Sequence, residues 1–303
     1  MDKIAVLMST YNGAQFLGEQ IDSILSQKNV CVHLFVRDDC SSDSTMDVLT
    51  SYADNCSNIT VFFGKKNLGP EKSYKKLLKT VLLEHDKFEY YAYADQDDIW
   101  LPNKLNVAVN KLSGIRKPAL YASNQYIYKD DAVVGLRFKQ APNYSLLYNI
   151  HSNSLSGCTM VFNRSLAVIM LEKLYPDDYF RFNKMHDTWT ALTAGILGIY
   201  IYDPNAYILY RQHGANVVGI KKEGIIEKIK QQSKRKNMKR DLSRCLIRCF
   251  GNELKQEREA IELLSMYDRN WKNKFVILKK AKKYHYFYIN KLLLLLKVAL
   301  GTL

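Results

Sequence analysis

Four short apolar runs in the first hundred residues alternate with segments of helical period, and three of the four stop abruptly in a polar cluster. Ile4–Met8 runs into Ser9-Thr10-Tyr11-Asn12-Gly13, and Val32–Val36 into Arg37-Asp38-Asp39. Ile59–Phe63 is the third run, and Tyr90–Ala94 halts at Asp95-Gln96-Asp97-Asp98. Between them, Phe16, Leu17, Ile21, Ile24 and Leu25 recur at helical spacing, as do Met46, Val48 and Leu49, and then Tyr74, Leu77, Leu78, Val81 and Leu82. Apolar runs of this length bounded by turn residues read as buried strands, and the intervening period reads as amphipathic helix. Strict alternation predicts a parallel, doubly wound sheet. Ligands bind such sheets outside the carboxyl ends of the strands, so Ser9–Asn12, Asp38-Asp39 and Asp95–Asp98 are expected to converge on one site.

From about residue 119 the pattern changes. Ala119–Tyr128 and Cys158–Phe162 read as strands of a mixed extension, with helices over Leu166–Leu174 and Thr188–Leu197, then strands at Ile199–Tyr202 and Ala206–Tyr210. Charge divides the chain more sharply. Residues 1–219 carry 22 Lys and Arg against 22 Asp and Glu, whereas residues 220–303 carry 22 against 8, the whole of the +14 excess. Two functional units are therefore expected, 1–219 and a basic helical region 220–303. The longest leucine run, Leu292–Leu296, lies between Lys291 and Lys297, far short of the ~20 apolar residues that span a bilayer. No signal-peptide pattern precedes Ile4, and the six cysteines show no paired framework. These features together predict a reduced, cytoplasmic protein.

Asp95-Gln96-Asp97-Asp98 sets three carboxylates within four residues. Crowded carboxylates repel one another unless a cation compensates, and oxygen ligands suit Mg²⁺ or Mn²⁺. The competing reading is a solvated acidic turn before a helix. Asp39, with Asp38 and Ser41, can accept from a base N–H or a ribose hydroxyl, although Asp43 and Ser44 also suit helix capping. Lys72, after Lys66-Asn67-Leu68-Gly69, offers a cation for phosphates, or is simply solvated. His186-Asp187 opens a helix: Asp187 is a candidate general base at a cleft mouth, or an acid favoured by the helix dipole. His213 follows Tyr210-Arg211-Gln212 at a Gly-marked loop, as a metal ligand, a phosphate contact or a loop histidine. Arg211 beside it would suit a diphosphate.

These segments, in this order, resemble the inverting family 2 glycosyltransferases, which have the GT-A fold. The resemblance rests on Ser9–Gly13, Asp38–Thr45, Asn67-Leu68-Gly69, Asp95–Trp100, Gly157-Cys158, His186-Asp187 and Arg211–Gly214, and covers roughly residues 1–219. Asp95–Trp100 and Tyr210–Gly214 look most like bacterial rhamnosyltransferases of surface-polysaccharide assembly. The resemblance implies a Rossmann-like α/β fold, a mostly parallel mixed sheet flanked by helices. It implies that Thr10, Tyr11 and Asp39 hold the nucleoside, with Asp95 near the ribose; Asn12, Lys72 and Arg211 complete the expected nucleotide-sugar contacts. Asp97 would be the main metal ligand, with His213 a further contact, and Asp187 the catalytic base. The family often has Glu-Asp where this chain has His186-Asp187, which leaves the role of His186 open.

The expected reaction is a single in-line displacement with inversion, moving a sugar from a dTDP- or UDP-linked donor to a hydroxyl of a lipid-linked oligosaccharide. L-Rhamnose from dTDP-rhamnose is the expected transfer, and a UDP-hexose donor is the alternative. The basic region, with Lys228, Lys230, Lys234, Arg235, Lys236, Lys239, Arg240 and Lys279–Lys283, fits an anionic membrane face, placing the enzyme peripherally on the inner side of the cell membrane. Pairing of protomers through its helices is a second use. A nucleic-acid-binding protein is the rival class suggested by pI ≈ 9.3. The neutral N-terminal portion and its acidic strand ends argue against a nucleic-acid partner.

Overall fold

The computed structural model describes residues 1–85, 87–151, 153–173, 186–214, 238–255, 257–266 and 270–280. Two compact units are present. Met1–Pro142, Leu155–Tyr175 and Met185–Gly219 form the first; Asn143–Ser154, Pro176–Lys184 and Ile220–Leu303 form the second. The second unit thus takes two short segments from within 1–219, besides the basic region.

The first unit is built on one sheet in the order β3-β2-β1-β4-β8-β6-β9-β5, with β7 paired to β6. Its first four strands are β1 (Lys3–Thr10), β2 (Cys31–Asp38), β3 (Ile59–Phe63) and β4 (Tyr90–Ala94), all parallel. Between them run α1 (Ala14–Leu25), α2 (Thr45–Asn55) and α3 (Pro70–Glu84). The predicted strand–helix alternation is therefore observed. The chain moves outward from β1 to β3 and then returns to the other side of β1 as β4. That reversal puts the carboxyl ends of β1 and β4 side by side at a topological switch point.

The remaining strands make the sheet mixed. β5 (Ile99–Trp100) pairs antiparallel with β9 (Ile199–Arg211), which runs parallel to β6 (Ala119–Lys129). α4 (Lys104–Leu112) connects β5 to β6. The two strands expected over 199–210 are one, carried past Pro204 by register shifts against Ser123–Tyr126. Asn124 bridges the irregularity, its Nδ2 donating to Pro204 O at 3.2 Å. The strand expected at Cys158–Phe162 is instead a 3₁₀ turn, Gly157–Thr159, followed by the short β8 (Val161–Asn163). The turn keeps Cys158 at the sheet's edge, and Asn163 then caps α6 (Arg164–Glu172) by accepting from Leu166 N at 3.1 Å. α7 (His186–Leu197) leads into β9. β7 (Ala132–Leu136), an exposed hairpin partner of β6, has no counterpart in the sequence reading.

In the second unit the described elements are α5 (Leu146–His151), α8 (Met238–Phe250), α9 (Arg258–Met266) and α10 (Trp271–Lys280). Leu242, Leu246 and Phe250 of α8 and Ile261 and Leu264 of α9 are buried, so these helices bury an apolar stripe and leave their charges outside. The cationic positions at 228–236 and 281–283, and the leucine run, lie outside the described residues. Among the described residues no helix is long and apolar enough to cross a membrane.

Candidate active site

Loop geometry at the switch point follows from a few polar side chains that bond each other's backbones. Asn12 holds a left-handed conformation (φ 49°), and its Oδ1 accepts from Ser42 N at 2.8 Å while its own N–H donates to Ser41 Oγ at 2.9 Å. Thr10 Oγ1 donates to Asp38 Oδ1 at 3.1 Å, and Asp38 Oδ2 accepts from Ser41 N at 2.9 Å. Asp43 ties the start of α1 to that of α2, accepting from Ala14 N at 3.3 Å and Thr45 N at 3.0 Å. It does so from outside the N-cap position, which Ser44 occupies without a side-chain bond. Gln96 clasps the backbone of Tyr11 from across the switch point, accepting from its N–H at 2.9 Å and donating to its carbonyl at 3.2 Å. A Cβ on Gly13 would collide with that carboxamide.

Of the residues expected at the nucleoside, Thr10 and Asp39 are buried, whereas Tyr11 exposes about half its surface, 49%. Asp39 pairs with Arg37 and accepts from Leu68 N at 2.9 Å and Gly69 N at 2.8 Å. It therefore fixes the loop that starts α3. Lys72 lies exposed in the first turn of that helix.

The carboxylates after β4 diverge. Asp97 faces His213, with Oδ2 and Nε2 2.7 Å apart, so the two expected metal contacts lie on one spot although 116 residues separate them. Asp98 turns inward, 1% exposed; one oxygen accepts from Arg211 N at 3.2 Å, and the other, Oδ2, has no hydrogen-bond partner among the described residues. Asp95 lies between Tyr74 Oη, 3.4 Å away, and the Cys158 thiol, which faces both Asp95 and Asp98. Burial, followed by the charges of Asp97 and Asp187, raises the Asp95 carboxyl above its ordinary range. Burial and the charges of Asp95 and Asp97 do the same to Asp98. A cluster that resists carrying its full negative charge will gain by binding a cation or a proton.

The residues fit a divalent ion. Carboxylate and imidazole donors converge at Asp97 and His213, a set that suits Mn²⁺ as well as Mg²⁺. The ligand atoms of Asp95, Asp98 and Cys158 also lie within 4.8 Å of one another, but a thiol raised well above its usual range by burial is a poor ligand for a hard ion. Asp97 and His213 are the better-suited pair.

Arg211, read from sequence as a diphosphate contact, is committed inside the protein. Its Nε donates to Asp97 O at 3.0 Å, its Nη2 pairs with Glu19, and the guanidinium lies over the rings of Phe16 (4.6 Å) and Tyr128 (5.0 Å). A buried guanidinium requires such an acid partner. The consequence is positional: Arg211 anchors the end of β9, two residues before His213.

Asp187 begins α7 and accepts from Thr188 N, and from Thr188 Oγ1 at 3.2 Å. Its charge acts on Asp95 directly. His186 is buried and neutral, its ring lowered to about 3 by loss of solvent. It stacks on Tyr74 at 3.8 Å and meets the edge of Tyr93 at 4.5 Å. Gly157 admits this packing: a Cβ there would stand 2.8 Å from His186 Nε2 and 3.4 Å from Asp187 Cβ.

Sequence reasoning missed Tyr74 and Lys104 as parts of the site, and gave Gln96 and Cys158 no role although both lie in the motifs that carry the resemblance. Tyr74 looked like one more apolar position on a helix. Lys104, 1% exposed with Nζ 3.5 Å from the Trp100 ring centroid, looked like an ordinary helix lysine.

The profile of glycosyl transferase family 2 matches residues 5–167, more than half of the chain. The chain belongs to glycosyl transferase family 2. It is 29% identical over 220 residues to dTDP-rhamnosyl transferase RfbG of Shigella flexneri, an alignment covering 70% of this chain and 73% of that protein. It is 25% identical over 158 residues to the putative teichuronic acid biosynthesis glycosyltransferase TuaG of Bacillus subtilis, covering 52% of this chain and 60% of that one. Among solved structures, S. aureus TarS 1-349 in complex with UDP-GlcNAc superposes with a TM-score of 0.56 at 15% identity, covering 98% of this chain and 90% of that one. The mannosyltransferase PcManGT from Pyrobaculum calidifontis, in complex with GDP-Man and Mn²⁺, gives 0.54 at 16% identity, covering 99% and 86%. The fold is therefore that of the GT-A glycosyltransferases, as the sequence motifs implied.

Proposed function

We propose that this family 2 glycosyltransferase is an inverting, metal-dependent enzyme that moves L-rhamnose from dTDP-rhamnose to a hydroxyl of a lipid-linked glycan in surface-polysaccharide assembly. The observation that carries the reading is the meeting of Asp97 and His213 beside Asp95, with Asp187 within electrostatic reach of the same cluster. The rhamnosyl assignment is supported by the likeness to the Shigella flexneri enzyme. A UDP-hexose donor is the second reading, supported by the UDP-GlcNAc complex of the TarS structure.

In this reading Asp97 and His213 would hold Mg²⁺ or Mn²⁺, which when bound would supply charge compensation for the diphosphate. Tyr11, Asn12 and Asp39 frame the nucleoside pocket, Thr10 supports it from beneath, and Lys72 approaches the phosphates. Asp187 takes the proton from the acceptor hydroxyl as its oxygen bonds the anomeric carbon and the bond to the diphosphate breaks. A positioned carboxylate accelerates such a step by ~10²–10⁴. The attack comes from the face opposite the leaving group, so a β-L-rhamnosyl donor yields an α-linked product. The enzyme works in the cytoplasm on the inner face of the membrane, through the basic second unit.

The test is incubation of purified protein with dTDP-rhamnose or UDP-hexoses, an acceptor and Mn²⁺ or EDTA, with the product linkage read by NMR. A metal-dependent α-rhamnoside supports the reading. Transfer with retained configuration, or transfer unaffected by EDTA and by Asp97→Ala, would overturn the mechanism.

A further inference from the structure

Arg137 follows the exposed hairpin strand β7, its backbone is held by hydrogen bonds, and its guanidinium lies over the Phe138 ring at 5.1 Å. Its N–H donates to Gln125 O at 2.9 Å, continuing the ladder with β6. Asn124 clamps the next residue from both sides, accepting from Phe138 N at 3.2 Å and donating to Phe138 O at 2.8 Å. The half-buried guanidinium then reaches inward. Its Nη1 donates to Gln125 Oε1 at 3.3 Å and to Ser156 Oγ. Both acceptors are neutral, and no acid among the described residues lies within ion-pair distance of Arg137. Arg211, by contrast, has Glu19, and Arg37 has Asp39.

Location gives this cation its meaning. Ser156 precedes Gly157, whose Cα faces Asp187. The charge of Arg137 is felt by Cys158 and Tyr210, both of which also feel Asp95 and Asp98. Arg137 therefore lies on the Ser156–Gly157–Asp187 side of the carboxylate cluster. Asp97 and His213 lie together at the ends of β4 and β9. Among the described residues this guanidinium is held through one nitrogen by neutral oxygens, which leaves Nε and Nη2 to donate to two oxygens of an anion such as phosphate.

We propose that Arg137 is an anion-binding residue of the acceptor site, taking a phosphate or pyrophosphate that the acceptor carries next to its sugar. The proposal rests on the reading of Asp187 as the base that receives the acceptor hydroxyl. The phosphate it binds has two possible sources, the acceptor and the donor's diphosphate, and the bond to Ser156, next to the Gly157 that Asp187 packs against, assigns it to the acceptor.

The experiment compares two acceptors that bear the same sugar, one joined to an alkyl chain through pyrophosphate and the other a plain alkyl glycoside. For Arg137→Gln, KM for the pyrophosphate acceptor should rise about ten- to a hundredfold, the size of a lost charge-assisted hydrogen bond, with little change for the plain glycoside. Arg137→Lys should recover part of that discrimination. Inorganic pyrophosphate should compete with the pyrophosphate acceptor in the wild type and less so in Arg137→Gln. An equal rise in KM for both acceptors would show a merely structural role. A weakened dissociation constant for dTDP or UDP with Mn²⁺ would assign the residue to the donor. Either result overturns the proposal. If the wild type transfers no sugar to either acceptor but still binds nucleotide, the failure lies with the proposed function and the competition by pyrophosphate for protein binding still decides Arg137.

Discussion

The ring of His186 lies on the ring of Tyr74, centroids 3.8 Å apart and planes 27° from parallel, and Tyr74 Oη donates to Ala94 O at 2.6 Å. One side chain of α3 thereby joins the last residue of β4 to the first residue of α7. Asp95 follows the one and Asp187 follows the other. This contact gives the histidine before Asp187 a structural part: an aromatic ring with no charge fills the stack. Burial holds His186 near 3, whereas an unfolded histidine titrates near 6.5. Between those values the unfolded chain binds a proton that the folded chain refuses. The stabilising share of a neutral His186 is complete above about pH 6.5 and falls as pH drops, by about 1.4 kcal/mol per unit. Asp95 and Asp98 work in the opposite direction, since their raised folded values favour the folded state as pH falls. The difference between wild type and His186→Phe isolates the histidine. Chemical denaturation at pH 7 and pH 5 should show the wild type losing about 2 kcal/mol more than the variant. Parallel pH profiles would refute a neutral, buried His186.

Gly157 sets the other wall of the same pocket. Alanine there brings a methyl group to 2.8 Å from His186 Nε2, and that ring is pinned between Tyr74 and Tyr93. Overpacking of this kind costs about 1–3 kcal/mol. Relief by shifting the start of α7 would carry Asp187 out of line, and a misplacement near 1 Å costs about a hundredfold in rate. Gly157→Ala should therefore lower kcat by roughly that factor, while calorimetry with dTDP or UDP and Mn²⁺ gives an unchanged dissociation constant. Unaltered kcat would mean that α7 does not depend on this contact for its position.

The sequence declared the half of the fold in which each strand meets its neighbours through local alternation. β1 to β4 and their helices are legible because buried parallel strands are continuous apolar runs. The polar stops at Asn12, Asp39 and Asp95 were equally plain. Contacts made by long-range packing were not. β7 is a solvent-exposed strand of Ala132–Leu136 and lacks an inward-facing stripe, and β9 crosses Pro204, which reads as a break. Arg211 looked free for a phosphate because nothing local announces Glu19, 192 residues away. Tyr74 and Cys158 act through partners that only the folded chain supplies.

The paired Asp97 and His213 lead to a prediction about protons as well as metal. Asp95 beside them, half-buried, resists losing its proton because it has lost solvent and faces Asp97 and Asp187. Cation binding must displace that proton, so affinity rises with pH until the cluster is ionised. Titration of the dTDP-bound protein with Mn²⁺ should show up to about tenfold tighter binding per pH unit between about pH 5.5 and 7. Asp97→Ala should abolish binding at every pH, and His213→Ala should weaken it by about ten- to a hundredfold. A pH-independent affinity would remove Asp95 from the metal's surroundings.

The second unit has its own surface to test. On α10, Trp271 and Phe275 stand one turn apart and expose 72% and 62% of their surface, with Lys272 and Lys279 exposed beside them. Aromatic rings flanked by lysines, without an acidic residue between Trp271 and Lys280, match the interface of an anionic bilayer. Nucleic acid would use the lysines but gains less from a solvent-facing Trp–Phe pair on a helix. The full chain should therefore cosediment with vesicles containing phosphatidylglycerol and not with neutral ones. Replacing Lys272 and Lys279 by glutamine should weaken that binding by about fivefold per charge and reduce its salt dependence. Trp271→Ser with Phe275→Ser should weaken binding at all salt concentrations, because the lost contribution is apolar burial. If vesicle binding survives all four substitutions, α10 is not the membrane-facing element; if the wild type ignores anionic vesicles at physiological salt, the basic unit serves another partner, and its oligomeric state becomes the measurement to make.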